Sequence, residues 1–287
     1  MTAVIKHELK TYFRSLTAYV FGAFLLAFTG VGAMTYNINS AVSNFEYVLD
    51  YVSIVFVVIV PILTMRVIAE ERKQKTDQLL YSLPITTTQV VVGKYIALLV
   101  VFLVPMAIIS IYPAVFSQFG DVYLLTSYGA LFAFFILGAA CIAVGEFISS
   151  LTENQGLAAG IGIAVILFNY YSVRLSEYVS ATVLGSVIAL AVLIFVIAIV
   201  VHFLTKSTPL AIGVAAVLAV AVAAVYFVNK TAFEGLLPNL MTRLSLFLPL
   251  SYFVNGVFNM GGIVFYLSVI VFFLFLSVQS LEKRRYN

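Results

Sequence analysis

Apolar residues in this chain come in nearly unbroken runs of about 20, separated by short polar breaks, rather than at every second or every third and fourth place. A run of that length crosses the hydrocarbon core of a bilayer as a helix. The runs predict spans at about 16–36, 46–67, 89–112, 124–148, 155–173, 181–204, 209–228 and 262–281. Helix-start chemistry marks three of them. Ser43 with Glu46, Thr86 with Gln89 and Thr152 with Gln155 each have the spacing of a capping box, in which two side chains satisfy the first free amides reciprocally. The expected fold is an all-α integral membrane protein of about eight transmembrane helices, forming a single membrane domain over residues 1–287.

Composition agrees with a lipid solvent. The 287 residues are 63% hydrophobic and only 9% charged, more apolar surface than one water-soluble core can hide. A net charge of +3 is too small to point to a nucleic-acid partner. The single cysteine, Cys141, excludes an internal disulfide. No cluster of metal-ligand type is present, and Glu146 and His202 are the notable polar groups at span depth. The first apolar run is longer than the core of a signal peptide and is expected to be retained.

Charge sets the orientation. Lys and Arg number twelve over the N-terminal tail, the 66–94 region, the 205–208 turn and the C-terminal tail, against Arg174, Lys230 and Arg243 on the opposite side. The positive-inside rule then puts both termini in the cytoplasm. Residues 1–15 mix apolar and basic side chains, which suits either an interfacial helix or a short tail that only sets topology. Glu146 is read in two ways, as a proton or substrate ligand or as an inner-leaflet ion-pair partner of Arg66 or Lys94; its depth favours the pair. Gly138 and Gly145, and Gly156 and Gly160, form small-residue faces for helix packing or a subunit seam. Pro61 and Pro105 suit kinks, and the Pro- and Gly-broken segment 229–261 is expected to be re-entrant or interfacial on the outer side.

The densest polar stretch, "MRVIAEERKQKTDQLLYSLP" (65–84), stands out in a chain this apolar. Glu70 to Lys75 extend the second span, Thr76 and Asp77 suit a helix start, Leu79, Leu80 and Leu83 share one face, and Pro84 stops the helix. An apolar triad in a solvated loop should bury against membrane or protein.

The wider stretch "PILTMRVIAEERKQKTDQLLYSLPITTTQVVVGKY" resembles the signature loop of ABC-2-type transporter permeases, and "SSLTENQ" (149–155) resembles a second element of that family. The end of the chain, from "LSYFVNGVFNMGG" to "LEKRRYN", is similar to the gliding-motility branch. The resemblance implies a permease subunit, an exporter, in a bacterial plasma membrane. It would pair with a second permease copy or paralogue and with two ABC ATPase subunits that bind ATP and Mg. It further implies that 66–88 is a coupling loop: Glu70, Glu71 and Arg72 would form a polar contact surface, Leu79, Leu80 and Leu83 would fill a cleft of the ATPase, and Pro84 would end the coupling helix. The family commonly has six spans, so 181–228 reads as an inserted pair: a helper, a docking surface for another membrane subunit, or filler.

The chain has no G-x-x-x-x-G-K-[ST] phosphate loop, so the motor is expected in a separate polypeptide and the chain itself is not expected to be an enzyme. Two alternatives stay open. A secondary transporter would need internal repeats and midplane ionisable groups, which are not evident. A mechanotransmission subunit that moves no solute needs only the coupling loop.

Overall fold

A computed structural model of the protein describes residues 1–76, 85–205, 208–228 and 233–286. Among the described residues the chain is helical throughout, without strands. In order come α1 (Thr2–Arg14), α2 (Leu16–Gly32, continued by a π-helical Ala33–Asn39), α3 (Glu46–Ser53), α4 (Phe56–Thr64) and α5 (Ala69–Gln74). Next are α6 (Thr87–Ile109), α7 (Ile111–Phe116), α8 (Leu124–Leu151) and α9 (Gln155–Tyr178). The last five are α10 (Val183–Thr205), α11 (Thr208–Val228), α12 (Leu236–Arg243), α13 (Leu248–Val254) and α14 (Met260–Tyr286). Two compact units result, residues 1–170 with 246–287, and residues 171–245.

Every stretch expected to span is mainly helical where described, the second being broken by turns at 54–55 and 65–67. Among the described residues five helices are long and apolar enough to cross a membrane by length and composition, Leu16–Asn39, Thr87–Phe116, Leu124–Leu151, Gln155–Tyr178 and Met260–Arg284. The bent pair Glu46–Ser53 and Phe56–Gln74 makes a sixth if it counts as one span. Within α10 and α11 the described apolar stretches are shorter, Val183–Val192 and Ile212–Ala224.

The first unit is built around α8, which packs against α3, α4, α6, α13 and α14. Its residues are buried nearly all round, as the absence of an apolar stripe in "ALFAFFILGAACIAVG" requires. Two glycines set how closely its neighbours approach. A Cβ on Gly138 would fall on the ring of Phe102, and one on Gly145 would fall on Thr64. Aromatic rings fill the same seam: Phe56 meets Phe134 at 4.5 Å between centroids, and Phe102 stacks on Phe135 at 5.3 Å.

The second expected span is not one straight helix. It bends by 60° between Glu46–Ser53 and the segment Phe56–Gln74. The bend sits at Ile54 and Val55, ahead of Pro61, where amides reach back only three residues (Val55 N to Val52 O, Val57 N to Ile54 O). Neither glycine nor proline marks that position. The side-chain partners of α3 offer a reason: Glu46 is fully buried and accepts a hydrogen bond from Ser127 Oγ at 2.8 Å on α8, which fixes its direction.

That bond also displaces one of the expected caps. Phe45, not Ser43, precedes α3, and no side chain caps it. Thr152 likewise yields to Asn154, whose Oδ1 accepts from Gly156 N and Leu157 N to start α9. Only the Thr86–Gln89 box forms as expected, with both reciprocal bonds present. The 229–261 segment contains two short helices, α12 and α13, separated by a turn; Gly235 and Gly256 take the positive φ that their turns need.

In the second unit α10 and α11 pack on each other and α12 packs on α10. Gly235 N donates to Ala181 O at 2.9 Å, and Thr242 Oγ1 is 3.2 Å from Ser176 Oγ. A groove of about 790 Å³ runs between α10 and α11, walled by Ala, Val, Ile and Phe side chains, with Tyr226 at its edge.

Candidate functional site

A network of polar side chains in the first unit lies where α1, α5 and α6 meet. Gly93 and Lys94 on α6 begin the arrangement. Gly93 has Val4 of α1 so close that an added Cβ would stand 3.1 Å from it, which lets the two backbones approach. Lys94, with 1% of its side chain exposed, then donates to Glu8 Oε1 at 2.7 Å, to Glu71 Oε1 at 2.7 Å and to Val67 O at 2.9 Å. Those three acceptors use the ammonium's three donors. A buried ammonium costs roughly several kcal/mol to desolvate, and only this complete set of partners offsets it.

Arg66 completes a second link. Its Nε pairs with Glu70 Oε2 at 2.8 Å, and its Nη1 donates to Thr17 Oγ1 of α2 at 3.0 Å. Tyr12 of α1 donates its phenol to Leu63 O at 3.3 Å, near the end of α4. Burial, then the neighbouring Glu8 carboxylate, push the Tyr12 phenol well above its ordinary value, so it stays a donor. A cavity of about 610 Å³ opens beside these groups, lined by His7, Glu8, Tyr12, Arg66, Glu70, Glu71 and Lys94 among others.

Ser149, near the end of α8, holds the turn between α4 and α5. Its Oγ accepts from Ile68 N at 3.2 Å and Ala69 N at 3.1 Å and donates to Met65 O at 3.1 Å. One hydroxyl therefore satisfies two first amides of α5 and a carbonyl at the end of α4, groups that a break in a buried helix would otherwise orphan. Ser149 lies in the "SSLTENQ" element, but the role was not assignable from that string because its partners are about eighty residues away.

Several expected site residues are placed differently. Glu71 and Arg72, read as an outward contact surface, face inward: Glu71 is tied to Lys94, and Arg72 is buried with Nη2 3.5 Å from Ser280 Oγ. A helix of six residues can offer only one face outward, and here that face carries Lys73 and Gln74, followed by the exposed Lys75. Glu70 is half-buried against Arg66. Thr76 closes α5, its N–H and Oγ1 both reaching Glu71 O, and the helix expected to start at it lies outside the described residues. The left-handed Lys75, φ 56°, makes that reversal. Asp77, Leu79, Leu80, Leu83 and Pro84 lie outside the described residues.

The expected ion pair of Glu146 with Arg66 or Lys94 is not formed. Both cations are already committed to Glu70, Glu8 and Glu71, and Glu146, fully buried on α8, has no hydrogen-bond partner among the described residues. Of the small-residue faces, Gly138 and Gly145 are packed within the chain. Gly156 and Gly160 meet no tight neighbour; the close glycine on α9 is Gly162, where a Cβ would stand 2.9 Å from Pro61 Cβ. The rule that finds small-xxx-small pairs does not say which helix face carries the partner, and so it missed Gly162.

A family model described as "ABC-2 family transporter protein" matches residues 29–175, just over half of the chain. No curated protein matches it.

Proposed function

Because the chain belongs to the ABC-2 family of transporter proteins, we propose that this multi-pass permease subunit is driven through its α5 end by a separate cytoplasmic ATPase. The carrying observation is the Lys94 bridge. It joins α5, the short helix whose outward face is Lys73 and Gln74, to α1 and α6 by two ion pairs and one carbonyl. A push delivered at α5 would then reach α1 and α6 through bonds of fixed direction, because the bridging ammonium is buried and all three of its donors are engaged. Residues 79, 80 and 83 supply the apolar contact with the motor, and Lys73, Gln74 and Lys75 the polar one. Closure of an ATP-bound motor pair would drive α5, and with it the seam to a second permease copy. Both termini lie in the cytoplasm of a bacterial cell in this reading. α10 and α11 cross the membrane as an added pair, and transport is outward.

The reading is tested by a pull-down from native membranes in mild detergent, comparing wild type with Leu79→Asp/Leu80→Asp at equal membrane levels. An ATP-binding-cassette ATPase that accompanies wild type and is lost from the variant is the expected result. Its absence from both samples would return the chain to the secondary-transporter class.

A further inference from the structure

The last turns of α14 are fastened to both helices that flank residues 77–84. Glu282 Oε1 accepts from Thr87 Oγ1 at 2.9 Å, and Thr87, the first residue of α6, is buried. Ser280 Oγ donates to Ser150 O at 3.0 Å and lies 3.5 Å from Arg72 Nη2 of α5. Arg284 Nη2 pairs with Glu153 Oε1 at 2.6 Å. Packing alone would be met by the buried Val278 and Leu281 on the same turns. Directional bonds from the buried Thr87 and Arg72 and the half-buried Ser280 and Glu282 add something that packing does not, a fixed register between helices far apart in the chain, while the Arg284–Glu153 pair is partly exposed and adds little.

We propose that residues 278–284 are a clasp that makes α5, the start of α6 and the last span move as one body. The end of α14 is thereby a second output of the coupling segment. Thr87, Ser280 and Glu282 are positioning residues, with no need to touch the motor. The transmission role rests on the ATPase reading above, whereas the clasp itself does not.

Hydrogen exchange resolved by mass spectrometry, on the chain in lipid nanodiscs, tests it with Thr87→Val, Thr87→Ser and Glu282→Met. Thr87→Val and Glu282→Met should each speed amide exchange about tenfold in 278–284 and also in 69–74, the factor expected for loss of one charge-assisted hydrogen bond. Thr87→Ser should match wild type, and the double variant should exchange no faster than the faster single one. Faster exchange in 278–284 alone, or no change, overturns the clasp. In the complex with the native ATPase, Thr87→Val should keep the motor bound but lose the permease's effect on its hydrolysis rate; unchanged hydrolysis overturns the transmission role. If wild type binds no ATPase, the coupling reading falls, and exchange in nanodiscs still decides the clasp.

Discussion

The helices that meet at the charged end of the first unit and the α10–α11 pair of the second are held by different means. At the charged end a lysine, three glutamates, an arginine, a tyrosine, a threonine and a serine join six helices through bonds of defined length and direction. The α10–α11 contact is walled by alanine, valine and isoleucine, and its groove stays open. Apolar packing holds helices together but tolerates rotation and sliding, since dispersion has little directionality. Buried polar bonds fix register at the cost of desolvation. A segment that must pass on a displacement needs the second kind of joint, and a pair that fills space in lipid does not.

The largest way to break this contrast is Lys94→Met. It leaves the Glu8 and Glu71 carboxylates facing each other without their cation, and should lower stability by about 3–5 kcal/mol in denaturant unfolding followed by tyrosine fluorescence. Replacing all three with apolar residues, Lys94→Met/Glu8→Leu/Glu71→Leu, should recover most of that loss, because the bridge supplies register more than net stability. Ala219→Val in the α10–α11 groove should stay within about 0.5 kcal/mol of wild type. A similar loss at both sites would erase the distinction between the two joints.

A smaller effect separates the glycines. Gly145→Ala puts a methyl group onto Thr64 and should cost about 1–3 kcal/mol, whereas Gly160→Ala, with open space around it, should cost under about 0.5 kcal/mol in the isolated chain. A large loss at Gly160 would mean that its face is packed after all, against a second subunit.

The spans were readable because runs of about 20 consecutive apolar residues suit the interior of a bilayer and little else, and the family was readable from motifs near the 65–84 stretch. The polar wiring was not. Lys94 finds Glu8 across 86 positions and Glu71 across 23, and no local pattern announces either bond. A continuous second span leads one to expect Glu71 and Arg72 on an outward face. A turn at 65–68, held by Ser149, precedes them instead, and Glu71 is paired with Lys94 while Arg72 is buried. The Thr86–Gln89 box was legible since all of its partners lie within one turn, while the expected box at Glu46 lost to a long-range partner, Ser127.

The most direct test of a motor seated at α5 is photocrosslinking in native membranes, with a benzophenone amino acid placed in turn at Lys73, at Lys75 and at the exposed Val217 of α11. The expected result is an adduct with an ATP-binding-cassette ATPase from 73 and 75 and none from 217. An ATPase adduct from 217 alone, or from no position in a membrane that contains the intact complex, would contradict it.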